Sequence, residues 1–156
     1  MAIREATEAD LAALMPLLRE YCTFYESDPA AEGLETALRA AISAPQDVAF
    51  LLVSTREDSD EVVGFSNCQW KWSTLRGKRV VLLDDLFVAE NARGAGHADA
   101  LIETTAEVAR SHGAPVVIWY TQATNRRAQG VYNRVGGESE EMLEYQLALE
   151  PGSAGA

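Results

Sequence analysis

Leu86-Phe87-Val88-Ala89-Glu90-Asn91-Ala92-Arg93-Gly94-Ala95-Gly96-His97-Ala98 carries an apolar strand end through a polar turn into a glycine-punctuated helix start. Gly94 and Gly96 lack the side chains that would hold an anion away, and the first turn of a helix offers unpaired N–H groups backed by the helix dipole. Arg93 adds a cation beside them. From Ala98 onward, Leu101, Ile102, Thr105, Val108 and Ala109 follow the three-and-four spacing of an amphipathic helix resting on a sheet. Strand, turn and helix form one unit in which a backbone can hold a pyrophosphate; the alternative is an ordinary strand-to-helix turn that contains glycine. No lysine followed by Ser or Thr comes after the glycines, which excludes a nucleoside-triphosphatase loop, and their spacing is not that of a dinucleotide fingerprint.

Outward from this unit the chain reads as one domain over residues 1–150, with a Gly/Ala/Ser tail, Pro151 to Ala156, expected to be disordered. Ala2 to Glu5 suits a short edge strand. Thr7, with Asp10 three residues on, caps a helix whose apolar stripe is Leu11, Leu14, Leu18, Tyr21, Cys22 and Tyr25, with Pro16 placed to kink it. A second helix is predicted from Leu34 to Ser43. Val48 to Thr55 and Val62 to Trp70 read as a hairpin around the acidic turn Arg56 to Glu61, and Arg79 to Val88 as a central strand, apolar on both faces. Beyond the anion-turn helix come a strand at Pro115 to Tyr120, a helix at Asn125 to Val135 closed by Gly136-Gly137, and a last strand at Glu141 to Leu149.

Arg93-x-x-Gly96-x-Ala98, followed by Ala128-Gln129-Gly130-Val131-Tyr132-Asn133-Arg134-Val135-Gly136, resembles the two signature blocks of the GCN5-related N-acetyltransferases (GNAT). The element order is also that family's. The resemblance implies a mixed α/β (α+β) acyltransferase fold, with a central sheet of about six to seven strands flanked by about four helices. It implies acetyl-CoA as co-substrate, held by Leu86, Phe87, Val88, Arg93, Gly94, Ala95, Gly96, His97, Ala98, Asn125, Arg127 and Tyr132, and a homodimer. By spacing, Ala128, Val131, Tyr132 and Val135 share one face, so Tyr132 points inward. A phenol there can protonate the departing thiolate; a core tyrosine with a satisfied hydroxyl is the structural alternative. Asn125 also has a sufficient reason to exist as an N-cap. His97 could assist the phosphates or be an exposed helix residue.

The oddest local feature is Asp84-Asp85 inside a nearly continuous apolar strand. Side chains alternate faces along a strand, so at least one carboxylate points into the interior or a cleft, where it needs a partner or a function. Val81 to Val88, Trp70-Lys71-Trp72 and Tyr21 to Glu26 resemble the diamine and polyamine acetyltransferase branch of the family. This implies a cationic acceptor held by Glu26, Tyr25, Trp72, Asp84 and Asp85, since a carboxylate with aromatic faces suits an ammonium group. Asp84, Asp85 or Glu26, directly or through water, could take the amine's proton. A salt bridge to Arg79 or Arg93 is the structural alternative for the pair, and packing that for Trp70 and Trp72.

With 24 acidic against 13 basic residues and a net charge of −11, the chain is a poor candidate for nucleic acid or an anionic membrane and mildly favours cationic small molecules. No apolar run approaches membrane-spanning length and the N-terminus lacks a signal-peptide pattern, so the cytoplasm is expected. Cys22 and Cys68 show no paired spacing, and neither a disulfide nor a metal site is expected. Two classes of function follow: an N-acetyltransferase acting on a small amine, or an acyl-CoA-binding module without catalysis. Within the first, an amino acid, an aminoglycoside or a protein N-terminus is the alternative acceptor.

Overall fold

The computed structural model describes residues 1–149 of the chain, so the tail at Pro151 to Ala156 lies outside the described residues. β2 (Ala49–Thr55) explains the architecture, because every one of its positions is buried. Phe50 and Leu52 enter one apolar cluster, and Leu51 and Val53, which point the other way, enter a second. Such a strand needs cover on both faces. α1 (Leu11–Phe24) and α2 (Ala31–Ser43) supply it on one side, and α3 (His97–Ser111) on the other. Between them lies a five-stranded sheet in the order β1-β2-β3-β4-β5, where β1 is Ala2–Glu5, β3 Val62–Ser73, β4 Lys78–Val88 and β5 Val117–Ile118. The first three pairings are antiparallel; β5 lies parallel to β4, joined through α3. α4 (Arg126–Arg134) completes the described elements.

Local sequence accounts for the joints. Asp10 closes a capping box, accepting from the Thr7 backbone N–H at 2.8 Å, and the Arg4 guanidinium grips the same carboxylate through two bonds of 2.8 Å. The edge strand is thereby tied to the start of α1, and the helix then runs on through Pro16. Gly64 lets α3 lie close to the sheet: a Cβ there would stand 2.9 Å from the Phe87 carbonyl oxygen and 3.5 Å from the Leu101 side chain.

Three expectations are corrected. The sheet has five strands among the described residues, not six to seven. β5 pairs only through Val117 and Ile118, although its apolar run extends from Pro115 to Tyr120. The cause lies in β4: Asn67 faces Asp85 and Cys68 faces Leu83, which leaves Asp84 as the extra residue of a β-bulge. A bulge bends its strand and strengthens the local twist, so pairing with β5 stops at Leu82 and the chains part. Glu141 to Leu149, expected as the last strand, has no strand partner among the described residues and every position in it is exposed. Alternation tells a strand which face is apolar; it does not supply the neighbour.

Candidate active site

Because β5 stops at Ile118, the edge of β4 from Leu83 to Val88 has no strand partner on that side among the described residues. The glycine turn follows directly from this open edge. Gly94 and Gly96 take φ of +83° and +85°, a left-handed conformation that side chains with a Cβ adopt only under strain, and nothing lies within 4 Å of where either Cβ would be. Gly96 is the N-cap of α3 and, having no side chain, leaves the first turn without a cap from that position. A glycine turn at a helix start is suited to an anion. Arg93 helps to build it: its Nε donates to the Val88 carbonyl at 2.8 Å while the guanidinium lies over the Phe87 ring at 5.6 Å. Leu86 is half-buried at the open edge, Phe87 and Val88 are buried, Ala95 is exposed and Ala98 half-buried.

His97 takes neither of the positions expected for it. The ring is buried, with Nδ1 2.6 Å from the Ser54 hydroxyl on β2, and burial pushes its pKa down, which keeps it neutral. It anchors the start of α3 to the sheet from below. From outside, Asp99 in the first turn of α3 pairs with Arg134 at the end of α4 through two bonds of 2.7 and 2.8 Å. Neither tie is legible in sequence, since the partners are separated by 43 and 35 positions.

On α4, Asn125 caps the helix by accepting from the Ala128 N–H at 3.2 Å, so its structural role is present. Arg127 is exposed in the first turn. Tyr132 faces inward as its spacing predicts, half-buried and edge-on to Trp119 at 5.5 Å between ring centres. Burial raises its pKa, so the phenol holds its proton at neutral pH. Tyr25, at the end of α1, is 43% exposed and lies edge-on to Tyr21 at 5.0 Å between ring centres.

The acidic pair on β4 divides its labour. Asp85 accepts from the Asn67 amide at 2.8 Å and lines a cavity of about 160 Å³ whose other walls include Tyr21, Cys22, Leu38 and Phe65. Tyr21 faces this carboxylate, and burial together with the Asp85 charge pushes its phenol far up. Asn67 Oδ1 is buried with no hydrogen-bond partner among the described residues, so a lone acceptor stands beside the carboxylate. Asp84, at the bulge, is exposed and accepts from Gln69 at 3.1 Å; partial desolvation and the Asp85 charge raise its pKa. Neither carboxylate forms an ion pair among the described residues. Arg79 instead donates to the Gln46 carbonyl and lies over Trp70, and Arg93 holds Val88. The salt-bridge alternative for the pair is therefore set aside.

Not every expected residue joins this group. Trp72 is 73% exposed near the β3–β4 hairpin, five positions along β3 from Asn67, roughly 16 Å away at the rise of a strand. Trp70 is a packing residue, bonded to the Pro45 carbonyl at 2.9 Å and stacked between Phe50 and His112. Glu26 is exposed with a φ of 55°, unusual for a residue with a side chain, where α1 ends. Sequence reasoning missed Asn67 and Tyr21. Tyr21 was legible as a member of the apolar stripe and of the Tyr21 to Glu26 segment, without a role of its own, and Asn67, an amide in a largely apolar strand, was the available signal for its position.

The open edge, the glycine cradle and the inward tyrosine define an acyltransferase of the GNAT class. The chain belongs to the acetyltransferase (GNAT) family, which matches residues 11–137. Among relatives, it is 31% identical over 140 residues to YhfO of Bacillus subtilis, an uncharacterized N-acetyltransferase, covering 90% of this chain and 91% of that one. It is 29% identical over 142 residues to the thialysine N-epsilon-acetyltransferase of Bos taurus, with 87% and 83% of the two chains covered. Among solved structures, that of a probable acetyltransferase superposes with a TM-score of 0.84 at 29% identity, over 96% of this chain and 98% of the other.

Proposed function

We propose that this chain transfers the acetyl group of acetyl-CoA to a primary amine of a small cationic acceptor, diamine- or polyamine-like, by direct attack in a ternary complex. The observation that carries the reading is Asp85: a carboxylate without a cationic partner among the described residues, beside the orphaned Asn67 Oδ1, on the wall of a cavity between α1, α2 and the sheet. An ammonium group can donate to both oxygens at once, and an aliphatic chain suits the apolar lining. The bovine relative is named for acetylating the ε-nitrogen of thialysine, an amine at the end of such a chain.

In this reading the cradle of Arg93, Gly94, Ala95, Gly96, His97 and Ala98 holds the pyrophosphate through backbone N–H groups, with His97 acting only through its anchor to Ser54. Leu86, Phe87 and Val88 offer backbone groups on the open edge, and Asn125 and Arg127 border the other side. Asp85 orients the acceptor while Tyr25 and Glu26 flank the entrance. Asp84, whose raised pKa makes it a better base than an ordinary carboxylate, takes the amine's proton through water. The amine nitrogen then bonds to the thioester carbon, the carbon–sulfur bond breaks as Tyr132 gives its proton to the departing thiolate, and the proton left on the acylated nitrogen passes through water to the Tyr132 phenolate and restores the phenol. A binding module without catalysis would have no use for that donor. The chemistry belongs to one domain over residues 1–150, working as a homodimer in the cytoplasm; among the described residues no helix is long and apolar enough to cross a membrane.

The test is thiol release from acetyl-CoA across a panel of diamines, polyamines, lysine analogues, aminoglycosides and neutral alkylamines. Cationic aliphatic amines should lead, and Asp85→Asn should lower kcat/KM for them by about ten- to a hundredfold more than for neutral amines. Equal losses for all acceptors would refute the role of Asp85.

A further inference from the structure

The cavity beside Asp85 holds more oxygen acceptors than that carboxylate alone. β3 turns Phe65 and Asn67 toward α1 and α2, while Ser66 and Cys68 face Thr105 on α3. Asn67 therefore puts an amide where packing alone would take a leucine, and its partner on β2 is indeed Leu51. One N–H of that amide donates to Asp85 Oδ2 at 2.8 Å, while Asn67 Oδ1 is buried with no partner among the described residues. An unmet buried acceptor costs stability that an apolar residue of similar size would not. Asn67 is a poor packing residue and a ready acceptor.

Tyr21 approaches from the helical wall. Its ring is held edge-on by Tyr25 at 5.0 Å, Phe65 at 6.1 Å and Phe87 at 6.2 Å between centres, so packing sets its direction. The hydroxyl faces Asp85. A phenol that gives its one proton to a carboxylate keeps its lone pairs for another donor. Three oxygens from three elements thus line one cavity of about 160 Å³: Tyr21 Oη from α1, Asn67 Oδ1 from β3 and Asp85 Oδ1 from β4. No residue lining it carries a positive charge, and the other walls are apolar apart from the Cys22 thiol.

Charge and donor count are separate properties of an amine. A primary ammonium has three N–H donors and its dimethylated counterpart one, although both are cations at neutral pH. We infer that Asn67 and Tyr21 are specificity-determining residues: together with Asp85 they receive a primary ammonium, one oxygen for each N–H, and reject its N-methylated counterparts. This rests on Asp85 as the anchor of a cationic acceptor, proposed above, and adds which cation is taken. The ammonium held there is the end of the acceptor that does not react, because a carboxylate and two further acceptors stabilise the protonated form, whereas attack on the thioester needs a free amine. The substrate class is accordingly an unbranched diamine with a primary amine at both ends. Rejection is not steric, since a cavity of this volume has room for a methyl group. The methylated cation fails because it leaves oxygens buried and unmet.

Initial rates of thiol release from acetyl-CoA by the full chain, with putrescine and cadaverine each set beside its N,N-dimethyl derivative, test it. The diprimary amine should exceed its dimethyl derivative in kcat/KM by at least about tenfold. Tyr21→Phe and Asn67→Leu should each narrow that ratio by about threefold or more, a change in selectivity that a merely structural role would not produce. Asp85→Asn should lower kcat/KM for both diamines relative to butylamine. Equal use of the two diamines by the unaltered chain, or a ratio unchanged in both variants, would overturn the roles of Asn67 and Tyr21 alone if Asp85→Asn still showed its loss. No loss in Asp85→Asn would overturn the anchor and the donor count together. Should Asn67→Leu fail to fold, Tyr21→Phe, which keeps the ring, and the ratio of the unaltered chain decide.

Discussion

Gly96 separates two effects that a single substitution would confuse. Its φ is +85°, yet nothing lies within 4 Å of the position a Cβ would occupy. Any side chain therefore incurs the same backbone strain, about 1–2 kcal/mol, and meets no steric barrier beyond it. Gly96→Ala should lower stability by that amount and weaken acetyl-CoA binding only as far as the turn relaxes. Gly96→Asp shares the strain and adds a carboxylate at the mouth of the cradle. At about 5 Å from one phosphate charge and an effective dielectric near 20, the repulsion is about 3 kcal/mol, which corresponds to an affinity loss of about two orders of magnitude. Calorimetric titration of both variants with acetyl-CoA, with thermal unfolding as the stability control, reads the difference directly. Equal affinities for the Ala and Asp variants would show that no anion sits at Gly96, and the cradle would have to be abandoned as the coenzyme site.

Tyr132→Phe should keep acetyl-CoA affinity within about twofold while turnover falls by roughly ten- to ten-thousand-fold, because the proton donor is lost and the ring's packing on Trp119 is kept; a stable, fully active variant would return Tyr132 to a packing role. The pH dependence of stability should carry the mark of Asp10, whose pKa falls from 3.8 to about 2, first through its bond with Arg4. A carboxyl with a depressed folded pKa contributes stability that is present above its unfolded pKa and lost as pH falls toward the folded one. Asp10→Asn should thus cost about 1–2 kcal/mol at neutral pH, after allowance for the half-exposed Arg4, and nothing below about pH 2. Urea unfolding at several pH values measures it, and a constant difference down to pH 2 would refute the assignment. Gly64→Ala should destabilise by about 1–3 kcal/mol, since its Cβ would meet the Phe87 carbonyl 2.9 Å away; an unchanged melting temperature would show that α3 can withdraw without cost.

What the sequence determined by itself is whatever one short stretch can encode. The strand-to-helix unit at Leu86 to Ala98 specifies its own turn, because glycines at two positions of positive φ and an apolar stripe on the next helix are local properties. Thr7 and Asp10 specify a helix start in the same way, and the spacing of Ala128, Val131, Tyr132 and Val135 is enough to turn Tyr132 inward. The tertiary structure decided everything that depends on register between distant strands. That Asp84 is a bulge residue and Asp85 the partner of Asn67 is a property of β3 and β4 together, set by which residue faces which. The same pairing carries Trp72 away from the carboxylates, while the approach of α3 to β2 turns His97 from a surface residue into a buried anchor on Ser54. For Glu141 to Leu149 the sequence encoded the apolar face of a strand and left its neighbour open, since alternation is written in one chain and pairing requires two edges.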